Sequence, residues 1–277
     1  MPHMRSRLRI LLLLPLAAIL GCGSSATLPS STSISPNLSG DWFALAAPTT
    51  IGSAPTTLPT PIADFIGALQ FTGNTAAGTF RAFDPTYPNP CVSFTQDLPV
   101  TGTIDSNNNL TLTVPISGGT ATISATLPQN PQTFTNGSWQ IVGGACAMPA
   151  TAIAIVQVAP VTGTYTGVLN VIDLTTFTPV PGTATTVTAV LTQSTTSNAD
   201  GQFPLTGTVT ASGACSGSFP IINEVVFGGS ISPLIPPGTS TVDFLGAVEP
   251  TAATIVAGID PYSACGSQLY QGTLTRQ

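Results

Sequence analysis

Along most of this chain apolar and polar residues alternate, the period of a half-buried β-strand rather than of a helix. Residues 65–72 and 75–83 flank Gly73-Asn74 and read as a hairpin. Residues 110–114 lead through Ser117-Gly118-Gly119 into 121–127. Further on, 186–193 has 205–210 as its partner strand, and 151–158 and 269–275 each follow a cysteine closely. One stretch is ambiguous, because Ile62, Phe65, Ile66 and Leu69 also fit one helical face. Strand is the better reading there, since 186–193 stands at the same place in the second half and is Val- and Thr-rich. Strong helix formers such as Lys and Glu are scarce throughout. The expected class is all-β.

The pattern occurs twice. Leu38-Ser39-Gly40-Asp41-Trp42 matches Val161-Thr162-Gly163-Thr164-Tyr165: an aliphatic residue, a hydroxyl residue, glycine, any residue, then an aromatic. From that aromatic to the next cysteine is 49 residues in one copy (Trp42 to Cys91) and 50 in the other (Tyr165 to Cys215). Cys146 and Cys265 then follow at 55 and 50 residues. Three landmarks recurring at nearly one offset imply two tandem homologous domains, 38–160 and 161–277, each an antiparallel β-barrel or β-sandwich. In an oxidising compartment four cysteines allow three pairings, and only Cys91–Cys146 with Cys215–Cys265 gives both domains the same bond. Closing loops of that length stabilises a fold by roughly 4 kcal/mol on the chain-entropy model.

The N-terminus differs from all of this. Arg5, Arg7 and Arg9 precede an apolar run, 10–20, interrupted only by Pro15. At eleven residues it is short of the roughly 18–20 needed to span a bilayer, but it fits the core of a secretory signal peptide. The run ends in Ile19-Leu20-Gly21-Cys22, which resembles the lipobox of bacterial lipoproteins, with Leu20 standing where that family prefers Ala or Ser. The resemblance implies cleavage after residue 21, acylation of Cys22 and anchoring of the chain to a membrane through that lipid. Gly23, rather than Asp, follows the cysteine, which by the same resemblance favours the outer membrane. Residues 23–37 are Ser, Thr and Pro with little to bury, a flexible tether of about 50 Å at roughly 3.3 Å per residue.

Charge and composition narrow the chemistry. The chain has no lysine, its single histidine is His3 in the signal segment, and beyond that segment Arg81 and Arg276 face eleven carboxylates. So acidic a surface offers no footprint for nucleic acid. Catalysis by Ser-His-Asp, Cys-His or Ser-Lys lacks its base, and there is no phosphate-binding G-x-x-x-x-G-K-[ST]. Carboxylate-based glycoside hydrolysis remains as an alternative, with Glu224 and Glu249 the only glutamates. No cofactor is expected and no metal either: without histidine or paired C-x-x-C a zinc site lacks ligands. Asp105-Ser106-Asn107-Asn108-Asn109 and Asn198-Ala199-Asp200-Gly201 carry oxygens at calcium-loop spacing. However, Leu110 and Ile116 stand where the first loop needs Gly and a bidentate acid, and the second lacks the first acid, so both read as turns.

Gly40-Asp41-Trp42 resembles the G-x-W that opens the first strand of lipocalins, whose barrels hold small apolar ligands and in which a late arginine packs over the tryptophan. Arg276 is placed to do this against Tyr165, whereas the first copy has no late arginine. That resemblance implies a carrier of a small apolar ligand as an alternative function. The aromatics Trp42, Trp139, Tyr165, Tyr87 and Tyr262 are candidates either for stacking on sugar rings or for the core, Tyr87 and Tyr262 lying beside Pro88 and Pro261. The leading expectation is a non-catalytic binding, adhesive or structural module of the cell envelope. Its expected partners are the membrane and a carbohydrate or protein surface.

Overall fold

The computed structural model describes residues 37–46, 64–83, 97–116, 118–133, 135–233, 243–260, 265 and 268–277. The signal segment, Cys22, most of the tether, Cys91, Tyr87 and Tyr262 lie outside these residues. Two tandem antiparallel β-barrels make up the described chain.

The first barrel runs through β1 (Gly40–Ala46), β2 (Asp64–Thr72), β3 (Thr75–Phe83), β4 (Asp97–Ile104), β5 (Asn109–Ile116), β6 (Gly119–Thr126), β7 (Thr135–Val142) and β8 (Met148–Val158). Each strand pairs with the next, and β8 returns to β1 to close the cylinder. The second comprises β9 (Gly163–Asp173), a two-residue ribbon β10 (Thr178–Pro179), β11 (Thr185–Gln193), β12 (Phe203–Gly213), β13 (Gly217–Phe227), β14 (Ser230–Pro233), β15 (Asp243–Val248), β16 (Thr254–Asp260) and β17 (Tyr270–Arg276). Pairing of β17 with β9 closes it, leaving eight strands in the cylinder and β10 appended to the end of β9.

The 65–72 and 75–83 hairpin is β2–β3, turning at Gly73-Asn74 with Gly73 left-handed at φ 58°. The next hairpin is tighter than the sequence suggests: Ile116 pairs directly with Gly119, so Gly119 belongs to β6 and not to the turn. The strand expected at 205–210 extends over all of β12.

Inward residues of each strand form one buried apolar cluster per barrel. In the first these include Trp42, Phe65, Phe80, Leu110, Leu112, Ile123 and Trp139; in the second Tyr165, Leu169, Val187, Leu191, Phe244, Ile255 and Leu274. Outward positions on β4 to β6 are threonine-rich, with Thr101, Thr103, Thr111 and Thr113 exposed. An apolar inside and a hydroxylated outside is the reverse of a lipid-embedded barrel.

The barrels pack against each other, one side of the first meeting one end of the second. Ala68 on β2 and Val158 on β8 point out of the first barrel and join the buried cluster of the second. The ambiguity over 62–69 is explained here: Phe65 and Leu69 face inward while Ile66 and Ala68 face outward, yet all four are buried, because barrel two covers the outer face of β2. A strand buried on both faces loses its period-2 signature. Three connections of the second barrel, between β11 and β12, β13 and β14, and β15 and β16, reach this junction. There the Ala159 N–H donates to Pro250 O (2.8 Å) and the Thr79 hydroxyl to Ala199 O (3.4 Å).

Candidate functional site

The three described aromatics that the sequence offered as ligand or core residues are all in the core. Trp42 and Tyr165 are 0% exposed and Trp139 is 1% exposed. Two of the polar handles find partners at a barrel end, Trp42 Nε1 donating to Leu38 O (2.8 Å) and the Tyr165 hydroxyl to Ala252 O (2.9 Å). Burial raises the Tyr165 phenol above its ordinary range, against the lowering effect of the Arg276 charge. Trp139 stands edge-on to Phe65, with ring centroids 5.5 Å apart.

Arg276 is paired in register with Tyr165 and lies over Gly163, its Nη2 donating to Thr162 O (2.6 Å). The first barrel fills the same position with Gln157, which is paired with Trp42, lies over Gly40, and donates through Nε2 to Asn37 O and Ser39 O. Sequence reasoning missed Gln157 because it searched for an arginine. The signal was positional: both residues lie directly across from the repeat's aromatic.

On the outer face of the first barrel a shallow trough of about 410 Å³ crosses β5, β6 and β7. One wall is Asn109, Thr126 and Asn136; the other is Thr111, Ser124 and Ser138. Leu110 and Ala125 send their side chains inward and Gly137 has none, so the floor between these walls is backbone. The walls hold hydroxyls and amides and no charge, a lining that both donates and accepts hydrogen bonds. None of these residues stood out in the sequence, since they come together only through the registers Asn109↔Thr126 and Thr111↔Ser124↔Ser138.

Asp41, Glu224 and Asp243 carry carboxyls that are buried where the sequence gave no hint of burial. A bulge between β12 and β13, with Asn223 left-handed at φ 61°, shifts the register so that Glu224 joins the inward row with Val226. It is 2% exposed; Oε1 accepts from Phe244 N (3.3 Å), while Oε2 has no hydrogen-bond partner among the described residues. Burial, reinforced by the nearby Asp243 charge, pushes the Glu224 carboxyl up to about 8. Glu249, by contrast, caps the turn before β16 through Thr251 and Ala253, so the two glutamates do not converge on one cleft.

Asp41 projects from β1 into the junction, 1% exposed, where its Oδ1 accepts from Gly228 N (2.8 Å) and Oδ2 from Gly229 N (2.9 Å). Burial raises its carboxyl to about 7 against the lowering effect of these two N–H groups and that of Trp42.

The oxygen-rich turns bind themselves. Asp105 accepts from the Asn107 and Asn109 amides and from the Asn109 side chain, bonds that hold its carboxyl below the usual range. Asn198 Oδ1 accepts from Asp200 N and Gln202 N. That turn also carries Gly201 against the first barrel, with φ 76° and a position at which any Cβ would lie 2.6 Å from Thr79 O.

Cys215 and Cys265 are disulfide-linked with Cα atoms 5.4 Å apart. Cys146 is also disulfide-bonded, and the pairing expected for it, Cys91, lies outside the described residues. Comparison with protein-family models, with curated proteins and with solved structures finds no match to this chain. The class that the geometry defines is therefore a tandem pair of closed, eight-stranded antiparallel barrels, each with an apolar interior.

Proposed function

We propose that this chain is an exported, lipid-anchored protein of the bacterial cell envelope that binds a partner without chemical turnover, on the outside of its barrels. The observation that supports this most is the filling of the interiors: inward positions of each cylinder are occupied by large side chains in one buried cluster, Trp42, Phe65, Phe80 and Trp139 in the first. A lipocalin-like carrier needs that space for its ligand. The polar trough on β5, β6 and β7 is the outer feature best suited to an uncharged, hydroxyl-rich surface such as a carbohydrate. Anchoring through Cys22 and the tether that follows it rests on the lipobox resemblance.

Three experiments test the reading. Cell-envelope polysaccharide should retain the chain on sedimentation, and Ser124→Arg, which crowds the trough, should reduce retention several-fold without lowering Tm. Both tryptophans lie in the first barrel, so titration with an apolar fluorophore should leave their emission unquenched. Saturable quenching at one probe in the first barrel would make apolar-ligand carriage the better reading. For the anchor, Cys22→Ser should move the chain from the membrane to the soluble fraction and abolish labelling by a fatty-acid analogue.

A further inference from the structure

Gly228 and Gly229 are the two central residues of the β13–β14 turn, with φ 58° and 72°, the conformation of a type I′ hairpin. Their consecutive N–H groups point out of the second barrel and form a concavity suited to an anion. Asp41 of the first barrel fills it, one carboxylate oxygen on each N–H. The fit is close, because a Cβ on Gly228 would overlap Ile66 of β2. Around it the junction is apolar, lined by Ile66, Ala68, Val158 and Phe227.

The charged groups that the packed elements bring to this junction are few. On the first barrel Arg81 of β3 lies over the Phe227 ring, 5.3 Å from its centroid, and is paired with Asp97 of β4 at 2.6 Å. On the second, Asp200 sits in the exposed β11–β12 turn, Glu249 is engaged with Thr251 and Ala253, and Glu224 faces the barrel interior. None acts on Asp41, whose environment consists of burial and three backbone N–H donors. The repeat sharpens the contrast. Thr164 holds the place of Asp41 in the second barrel, and across from it Val190, at the place of Ala68, is 51% exposed.

We propose that Asp41 makes the docking of the two barrels proton-controlled: the docked arrangement takes up a proton at this carboxyl, and the barrels part more readily once it must be buried as an anion. Burial sets the sign: Asp41 is 1% exposed with no cation acting on it, and removing its charge from water outweighs the three N–H groups that favour the anion. Separated, Asp41 is a solvated carboxylate with the ordinary value of 3.8; docked, burial holds it near 7. A group raised in the docked state contributes its full stabilisation below the lower value and loses it as pH rises through the higher one. Docking therefore weakens by up to about tenfold per pH unit between about 4 and about 7, then levels off.

Opening is read from thiol labelling in the chain carrying Cys22→Ser. Ala68→Cys places a thiol under the junction, and Val190→Cys places one at the equivalent exposed position, so the ratio of their labelling rates cancels the intrinsic pH dependence of the reagent. The ratio should climb from pH 5 to pH 7 and flatten above. With Asp41→Asn it should be flat, at whatever level. Gly228→Ala should raise it at every pH. A flat ratio in the parent, or the same climb in Asp41→Asn, overturns the proposal. So does a Gly228→Ala variant that labels as slowly as the parent, since the turn would then not be what seats the barrels.

Discussion

Gln157 in the first barrel stands where Arg276 stands in the second, each directly across from the aromatic that opens its barrel and each closing the chain back onto the residue before the glycine. The common requirement is a donor long enough to reach a carbonyl at the barrel mouth, and amide and guanidinium both meet it.

Arg276→Gln should therefore be tolerated, changing stability by no more than about 0.5 kcal/mol. Arg276→Ala should cost about 1 kcal/mol through loss of the bond to Thr162 O. Urea unfolding of the two variants side by side checks this. Equal losses would mean that the contact is packing alone.

Gly201→Val should disturb the junction rather than either barrel. The new side chain must adopt φ 76° and meet Thr79 O, a combined penalty on the order of 2–3 kcal/mol. Calorimetry should then resolve two transitions for the two barrels where the parent shows stronger coupling between them.

Glu224 makes the second barrel sensitive to alkali. Its carboxyl is raised to about 8 in the fold, so its contribution is complete below its ordinary value of 4.5 and is lost as pH rises through 8. Glu224→Gln keeps the shape and removes the charge, and should raise Tm at pH 9 by several degrees while leaving Tm at pH 5 nearly unchanged. A Tm gain of equal size at both pH values would show that the buried oxygen, not its charge, is the cost.

Trp139→Ala should destabilise the first barrel by about 3–5 kcal/mol, the range for emptying a large aromatic site. A cost below about 1 kcal/mol would mean that the barrel collapses onto the gap, which chemical denaturation would reveal at once.

Peptide mapping without reduction should find Cys215 joined to Cys265 and Cys146 joined to Cys91. Removing the first bond by Cys215→Ser with Cys265→Ser should cost about 4 kcal/mol for a closed loop of 50 residues.

What the sequence determined by itself is everything carried by local periodicity and by repetition. Alternation placed β3, β5, β6, β11 and β12, because in a barrel one face of each strand is buried and the other is wet, whereas β2, buried on both faces, was placed by its counterpart β11. The doubled glycine–aromatic motif and the cysteine spacing revealed two copies of one unit, since each copy must close its own barrel. Tertiary structure alone decided the rest. The polar trough exists only because two registers, β5 with β6 and β6 with β7, align six small side chains that span 27 residues along each wall, from Thr111 to Ser138 on one and Asn109 to Asn136 on the other. Glu224 is inward only because a bulge at Asn223 reverses the alternation that the sequence displays. Asp41 meets Gly228 across 187 positions, and nothing local distinguishes it from Thr164. Burial by another domain is a property of a surface's shape, and shape is set by packing at long range, where neighbouring residues in the chain carry no record of it.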